Sequence, residues 1–311
     1  MNLLAILVLA CAVAIASYPV LMLPPRPRWV LVGVMCLGLG VTPLLLSDKD
    51  PLGRFVIACF VLTLWMKHFD IQVDQYRGWR VQWRSFAAFM LQAGGFVRRR
   101  LVDERHMTRA DALRRLGLEL PTLGLGLALA VLVSYPIWDG TPFLLEHAAK
   151  VTAFYFVCIP CVNSVTTLVR LCGGGDCRYH MEYPLAACTP ADFWRRYNRT
   201  VQQFFWEDVF KPLGGIRTPI RSTLLVFALS ALIHEYAFDI AVGRVQGYQL
   251  AFFMLQGLAV VATWRIKPKG WTKPIWWTAT LVFNLLTSVL FFASFNGLVS
   301  FYSRGLPAWF G

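Results

Sequence analysis

Charged residues are scarce in this sequence. Asp, Glu, Lys and Arg make up 15% of its 311 residues, whereas hydrophobic residues make up 57%. Soluble globular domains typically carry about 25% charged residues, so the composition excludes an ordinary soluble domain. We predict an all-α, polytopic membrane protein, because a helix satisfies its own backbone hydrogen bonds inside a bilayer.

The N-terminus lacks a feature that a secretory signal peptide needs. No lysine or arginine precedes Arg26, so the positively charged segment that opens a signal peptide is missing. We therefore interpret the first apolar run as a membrane span. A span needs roughly 20 apolar residues, and we predict eight of them: Leu3–Leu23, Trp29–Leu46, Phe55–Phe69, Leu118–Ile137, His147–Val169, Pro219–Ile240, Tyr248–Trp264 and Ile275–Tyr302.

Basic residues are distributed unevenly over the loops between these segments. The third loop, about residues 70–116, contains ten arginines, and the fifth, residues 170–221, contains eight lysines or arginines. The fourth loop has none, and the sixth has only Arg244. Because basic loops stay in the cytoplasm, this alternation predicts eight spans with both termini outside. The net charge of +13 then reflects orientation and contact with anionic membrane lipids, and no nucleic-acid partner is expected.

Two of the cytoplasmic loops are too long to be simple connectors. The third carries Trp79, Trp83, Phe86 and Phe89 among its arginines, a mixture typical of helices that lie in the membrane interface. No internal repeat and no soluble domain boundary is visible in the sequence. We therefore expect residues 1–311 to form one integral-membrane domain, in a bacterial inner membrane or in the endoplasmic reticulum of a eukaryote.

An ionisable pair, His234 and Glu235, interrupts the sixth apolar segment. The H-E-x-x-H motif of zinc proteases needs a second histidine at position 238, but that residue is Phe238. A proton-coupled secondary transporter would use such a pair as a proton site, yet transporters usually show internal symmetry or paired broken helices. A histidine that only hydrogen-bonds to a neighbouring helix is the other alternative. Ionisable groups at this depth are functional by default, which favours His234 as a site residue.

Four cysteines lie close together and invite a metal or redox interpretation. Cys158 and Cys161 fall in the fifth predicted span, and Cys172 and Cys177 follow it on the cytoplasmic side. The cytoplasm is reducing, which disfavours disulfides, and free cysteine is a common small residue of protein cores. We expect structural cysteines and no metal site.

A second motif lies upstream of His234, in the fifth loop. Residues Phe193–Asn198 read F-W-R-R-Y-N, and residues Ser230–Tyr236 read S-A-L-I-H-E-Y. Together the two segments resemble the membrane-bound O-acyltransferase superfamily, which pairs a cytoplasmic F-W-x-x-W-[N/H] segment with a histidine in a later span. The resemblance covers residues 189–239. Tyr197 departs from it, because the family has tryptophan more often at this position.

The motifs are similar to those of two branches of this family. The H-E-Y form is similar to that of sterol, diacylglycerol and wax acyltransferases, whereas residues 211–215, K-P-L-G-G, resemble a run in bacterial members that O-acetylate polysaccharides. The resemblance implies transfer of an acyl group from acyl-CoA to a hydroxyl group. It favours a hydrophobic or lipid-like alcohol as the acceptor, with an exported glycan or envelope metabolite as the alternative.

The resemblance also implies roles for individual residues. His234 would be the general base that takes the hydroxyl proton, since histidine changes its protonation near neutral pH. Asn198 would orient the thioester, whose oxygen needs a fixed hydrogen-bond donor as charge develops on it. Acyl-CoA is a co-substrate, so no cofactor is expected. The oligomeric state is left open.

Basic and aromatic side chains near the two motifs complete the candidate site. The basic ones either bind the phosphates of acyl-CoA or form the usual positive collar of a cytoplasmic loop; they are Arg195, Arg196, Arg199, Lys211, Arg217 and Arg221. Four aromatic residues suit interfacial anchors better than substrate contacts: Trp194, Phe204, Phe205 and Trp206. Tyr197 and Glu235 are further candidates for substrate binding. Glu235 is expected to be a hydrogen-bonding partner and not a second base, because adjacent residues of a helix point in different directions.

Overall fold

The structure, a computed structural model, describes residues 2–76, 78, 80–92, 95–98, 108–135, 138–172 and 180–310. Within these residues the regular secondary structure is helical and contains no strand, which confirms the predicted all-α fold. The helices are α1 Leu3–Ala16, α2 Pro25–Gly40, α3 Pro51–Tyr76, α4 Trp83–Leu91, α5 Arg109–Ser134, α6 Phe143–Leu171, α7 Pro190–Arg196, α8 Arg199–Phe204, α9 Pro219–Val242, α10 Tyr248–Thr263 and α11 Thr272–Asn296. A one-turn π-helix, Phe205–Phe210, follows α8.

Seven helical segments of the described chain are long and apolar enough to cross a membrane. They are α1 and α2, each with the short 3-10 helix that follows it, and α3, α5, α6, α9 and α11. The remaining predicted span is the seventh, Tyr248–Trp264, which corresponds to α10, a shorter apolar helix of 16 residues. The integral membrane character expected from the composition is thus confirmed.

The third span is longer than the sequence indicates. The sequence predicts Phe55–Phe69, but α3 continues to Tyr76, so Asp70 lies inside the helix and not in a loop. The polar end of α3 has partners in the segment that follows. Lys67, which is 1% exposed, donates to two carbonyls at the end of α4 at 2.8 and 3.1 Å, and cations stabilise helix C-termini. Asp70 accepts from the backbone N–H of Arg98 at 2.8 Å.

Helix α4 is the amphipathic helix expected in the third loop. Phe86 and Phe89 are buried, whereas Trp83 is 46% exposed. Tyr18 packs against the Trp83 ring, with the two centroids 5.2 Å apart. A helix with one buried and one exposed face suits the interfacial position predicted for it. Trp79 lies outside the described residues.

The chain divides into two compact units, each built from two separate stretches. The first unit comprises Met1–Asp103 and Gln203–Leu250, and the second comprises Glu104–Gln202 and Ala251–Gly311. His234 belongs to the first unit, and Asn198 belongs to the second. The single membrane domain expected from the sequence stays a prediction.

In the first unit, α9 packs along α3. Ala58 of α3 contacts Ala237 of α9, and small residues let two membrane helices approach closely. Trp65 stacks on Tyr236 with the ring centroids 5.2 Å apart. The Tyr236 hydroxyl also donates to the carbonyl at the end of α2 at 2.7 Å. These contacts fix the turn of α9 that carries His234.

In the second unit, α5 packs closely against α6, and α6 is held to α11. A Cβ atom placed on Gly126 of α5 would lie 2.3 Å from the carbonyl oxygen of Phe156 in α6. His147 of α6 contacts the Tyr302 hydroxyl at 2.8 Å and the Leu285 carbonyl at 2.9 Å. The second unit is therefore organised around α6.

Candidate functional site

The hydrogen bonding of His234 defines its tautomer. Nδ1 lies 2.7 Å from the carbonyl oxygen of Ser230, one helical turn earlier. A carbonyl can only accept, so Nδ1 carries the hydrogen and, in the neutral ring, Nε2 carries the lone pair. Because α9 begins at Pro219, His234 lies about 22 Å along the helix at a rise of about 1.5 Å per residue. The structure thus places a histidine with a basic Nε2 deep in a membrane helix.

Glu235, the neighbour of His234, stabilises the start of α10. Its Oε2 accepts from the backbone N–H of Leu250 at 2.9 Å, and its Oε1 accepts from the N–H of Gly247. Leu250 lies in the first turn of α10, and Gly247 directly precedes the helix. N–H groups at this end have no carbonyl acceptor within the helix, and negative charge is favourable there. Glu235 is therefore the hydrogen-bonding partner of a neighbouring helix, and its carboxylate holds the α9–α10 connection in place.

The F-W-R-R-Y-N motif forms the short helix α7 and the turn after it. Thr189 caps α7, because its hydroxyl accepts from the backbone N–H of Asp192 at 3.1 Å. The indole of Trp194 donates to Oε1 of Gln256 in α10 at 2.9 Å, and Gln256 in turn donates to Thr287 of α11 at 2.9 Å. Trp194 is thus linked to two helices of its own unit, and its indole N–H is already used there.

Asn198 begins the next helix in a left-handed backbone conformation. Its φ is +44°, a region in which asparagine is enriched among residues other than glycine. Its Oδ1 accepts a long bond of 3.4 Å from the N–H of Val201, and its carbonyl accepts from Gln202 at 2.9 Å. The residue therefore caps α8. The donor end of its amide, Nδ2, is not needed for that cap.

Tyr197 lies between these two helices and stacks on Phe193, with the centroids 5.4 Å apart. Burial raises the pKa of the Tyr197 hydroxyl well above its ordinary value, since a phenolate is poorly solvated there. The hydroxyl stays protonated at neutral pH. Tyr197 can therefore donate a hydrogen bond but cannot serve as a base.

Four of the six predicted phosphate-binding cations form ion pairs in the structure. Arg195 and Arg196 both contact Asp192, at 3.2 and 3.1 Å. Arg199 pairs with Glu182 at 2.6 Å. Lys211 pairs with Glu207 at 2.8 Å. Arg217 and Arg221 are exposed.

The aromatic residues at the end of α8 and directly after it do not share one role. Phe204 and Phe205 are 4% and 8% exposed. The Phe204 ring packs against the ring of Phe69, with the two centroids 6.1 Å apart. These two side chains belong to the interior of the first unit, so the interpretation as interfacial anchors is wrong for them. Trp206 is 44% exposed and stacks on Phe210, which suits the anchor predicted for it.

The K-P-L-G-G run makes the turn that leads into α9. Gly214 and Gly215 have φ values of +112° and +56°, which favour glycine because other side chains are strained there. The carbonyl of Leu213 accepts from the hydroxyls of Thr218 and Ser222 at 3.3 and 3.2 Å. The turn before α9 therefore explains why this run contains two glycines.

A cavity of about 720 Å³ lies in the second unit, between α5, α6, residues 181–186 and Trp277 of α11. Its polar lining includes Glu119 and Asn163, which are hydrogen-bonded to each other at 3.1 Å. Sequence reasoning did not single out these two residues. Glu119 had a usable signal, because an acidic residue inside an apolar helix is uncommon and often functional.

Three of the four clustered cysteines are described, and Cys158, Cys161 and Cys172 are free thiols. Cys177 lies outside the described residues. Within the described part of the chain, no group of three or more His, Cys, Asp or Glu residues is arranged to hold a metal ion. The structural role of these cysteines stays a prediction.

Comparison with known proteins concerns mainly the second half of the chain. The model of the membrane-bound O-acyltransferase family matches residues 179–294. This stretch, a little over a third of the chain, includes both Phe193–Asn198 and Ser230–Tyr236, so the predicted resemblance to that superfamily is confirmed. The family indicates an O-acyltransferase. No curated protein matches the chain.

Proposed function

We propose that this protein transfers an acyl group from acyl-CoA to the hydroxyl group of a hydrophobic or lipid-like alcohol, with His234 as the general base. The match to the family supplies the reaction class. The observation that supports the choice of base is the bond from Nδ1 of His234 to the Ser230 carbonyl. Because this bond uses Nδ1 as the donor, Nε2 is the nitrogen that accepts the proton of the alcohol.

The proposed reaction needs two proton transfers and no covalent enzyme intermediate. As the hydroxyl oxygen attacks the thioester carbonyl, its proton passes to Nε2 of His234. A carbon–oxygen bond forms, the carbon–sulfur bond breaks, and the imidazolium gives the proton to the departing thiolate of CoA. The Ser230 carbonyl stabilises the imidazolium, because it accepts from Nδ1–H throughout.

Asn198 is proposed to orient the thioester. Negative charge develops on the thioester oxygen during attack, and this oxygen needs a positioned N–H donor. Since Oδ1 of Asn198 caps α8, the carbonyl end of the amide is directed toward the first turn of that helix. The Nδ2 group is the end suited to an oxyanion.

The phosphates of acyl-CoA are proposed to bind the basic residues by exchanging partners. The Arg195 side chain is 67% exposed although it contacts Asp192, and Lys211 is 43% exposed although it contacts Glu207. Exposed ion pairs contribute only about 0–1 kcal/mol, so a phosphate can replace the Asp192 carboxylate at little cost. Lys211 would bind a phosphate while it keeps its contact with Glu207, whose side chain is only 7% exposed. Arg199, whose pair with Glu182 lies beside the cavity in the second unit, belongs to the same proposed set.

The lipid-like acceptor is favoured over an exported glycan. The glycan alternative rests on the K-P-L-G-G run, and the positive φ values of Gly214 and Gly215 explain its glycines without reference to any acceptor. The S-A-L-I-H-E-Y form has no such local explanation for its histidine. The acceptor class is therefore taken from this motif.

The proposal is tested by a transfer assay with the purified full-length protein. Radiolabelled acyl-CoA is offered with a long-chain alcohol, a sterol or a soluble polysaccharide, and ester formation and release of free CoA are measured. We expect esters of the hydrophobic alcohols, and lipid extracts of cells containing the protein should gain the same esters. Acylated polysaccharide alone would select the glycan alternative. Flux of a solute that depends on a proton gradient, without any ester, would instead favour a transporter.

A further inference from the structure

The connection between α10 and α11 concentrates positive charge. We refer to residues 264–273 as the basic loop; its four cations are Arg265, Lys267, Lys269 and Lys273, and all of them are exposed. No acidic residue follows Asp239 in the sequence. In the described part of the chain, none of the four cations takes part in an ion pair. They differ in this respect from the paired cations around α7.

The basic loop has a defined conformation. The Thr272 hydroxyl donates to the Lys269 carbonyl at 2.7 Å, and the Lys269 N–H donates back to that hydroxyl at 3.1 Å. Gly270, at a φ of +51°, completes the tight turn. The backbone around Lys269 is therefore held in a hydrogen-bonded turn, so little backbone entropy is lost there when an anion binds.

Large apolar side chains are exposed beside these charges. Trp271 is 78% exposed, Ile275 is 57% exposed and Trp264 is 43% exposed. The guanidinium of Arg265 lies 4.9 Å from the centre of the Trp264 ring. Tryptophan is enriched where a membrane meets water, because its ring is apolar and its N–H is polar. The exposed rings thus indicate a lipid surface.

We propose that the basic loop binds the headgroups of anionic phospholipids, of which phosphatidylglycerol is the test case. Four cations within nine residues, beside the membrane-length helix α11, form a basic cluster of the kind that an anionic lipid surface attracts. A soluble phosphate would satisfy the charges but would leave Trp271 in water, whereas a bilayer surface covers it. The chemistry therefore favours lipid over free phosphate.

The test measures phospholipid binding to the purified full-length protein by native mass spectrometry. The wild type is expected to bind phosphatidylglycerol at least about fivefold more tightly than phosphatidylcholine, since one basic residue near an anionic surface already contributes about that factor. Substitution of Arg265, Lys267, Lys269 and Lys273 by Gln should abolish the preference. The control, Arg26→Gln with Lys49→Gln and Arg244→Gln, removes three exposed cations elsewhere in the chain and should retain it.

Two further measurements keep the result decisive. Trp271→Ala should weaken phosphatidylglycerol binding but keep the preference over phosphatidylcholine, since it leaves all four cations. Inorganic phosphate and the deacylated headgroup glycerophosphoglycerol should compete poorly.

No preference in the wild type, or a preference that persists in the Gln variant, would overturn the proposal. If inorganic phosphate or glycerophosphoglycerol competes as strongly as phosphatidylglycerol itself, the basic loop is a site for free phosphate instead. If the fourfold variant does not fold, Lys267→Gln with Lys269→Gln should still lower the preference at least about twofold, and an unchanged preference would overturn the proposal.

Discussion

His147 and His234 show how hydrogen bonds separate two histidines of similar sequence context. His147 is fully buried, and its Nε2 donates to the Leu285 carbonyl at 2.9 Å while its Nδ1 accepts from the Tyr302 hydroxyl at 2.8 Å. Both ring nitrogens thus hold helices together. His234 instead uses Nδ1 within its own helix, at the carbonyl of Ser230. Its ring is oriented by α9 itself, as a positioned base requires.

This contrast gives a paired prediction. His234→Ala should lower turnover by roughly 10²–10⁴-fold, the usual contribution of a positioned base, while acyl-CoA affinity and melting temperature stay near the wild-type values. His147→Ala should instead lower the melting temperature, because a buried group that loses its hydrogen-bond partner costs about 1–3 kcal/mol. Turnover, acyl-CoA affinity and melting temperature are measured on the same purified variants. A well-folded His234→Ala protein with near-normal turnover would contradict the mechanism.

Glu235 gives a second prediction at the scale of one residue. Glu235→Ala leaves the N–H groups of Gly247 and Leu250 without their acceptor, and loss of a helix cap costs about 0.5–2 kcal/mol. Glu235→Gln keeps one acceptor oxygen, so its melting temperature should fall less and its turnover should stay near that of the wild type. Thermal unfolding and turnover of both variants check this. A folded Glu235→Gln protein that is as inactive as His234→Ala would assign Glu235 to the chemistry.

Sequence reasoning reaches residue types more easily than their partners. The pairs of Arg195 and Arg196 with Asp192 lie within one helical turn, a spacing that a helix makes predictable. The bond between Trp194 and Gln256 joins residues 62 positions apart. It depends on how three helices pack, which no local pattern encodes. The anchor role predicted for Trp194 therefore missed its hydrogen bond.

At the scale of helices, two glycines of α5 provide a controlled test of packing. A Cβ atom on Gly126 would lie 2.3 Å from the Phe156 carbonyl oxygen, whereas one on Gly124 would meet nothing within 4 Å. Gly126→Ala should therefore push α6 away and lower the melting temperature. Gly124→Ala should leave the protein as stable or up to about 1 kcal/mol more stable, because alanine favours helix over glycine. Equal effects of both variants would contradict the close α5–α6 contact.

The helix boundaries show what hydropathy can and cannot provide. Apolar runs are sufficient to locate α9, which differs from its prediction only by ending at Val242 instead of Ile240. Hydropathy fails at the end of α3, because Lys67 and Asp70 look like the start of a loop. Their partners in the segment after α3 compensate for burial. Such compensation is tertiary, so a local sequence window cannot detect it.

For the whole molecule, the number of membrane crossings depends on α10. Its 16 residues reach only about 24 Å at about 1.5 Å per residue, less than the roughly 30 Å of a hydrocarbon core. The charge pattern nevertheless predicts that α10 crosses, since the basic loop carries four cations and the preceding connection carries only Arg244. Local thinning of the bilayer accommodates a short helix at modest cost.

The topology is tested with reporters at three positions. If α10 crosses, there are eight spans, so a reporter fused after Gly311 and one inserted near Val245, which is 85% exposed, should both lie outside the cytoplasm. A reporter near His106, in the arginine-rich third loop, should lie inside and serves as the control. If α10 does not cross, only seven spans remain and the two ends of the chain lie on opposite faces. The Gly311 reporter would then be found on the same side as the His106 reporter, and the positive-inside argument would be wrong for the basic loop, because its cations would lie outside.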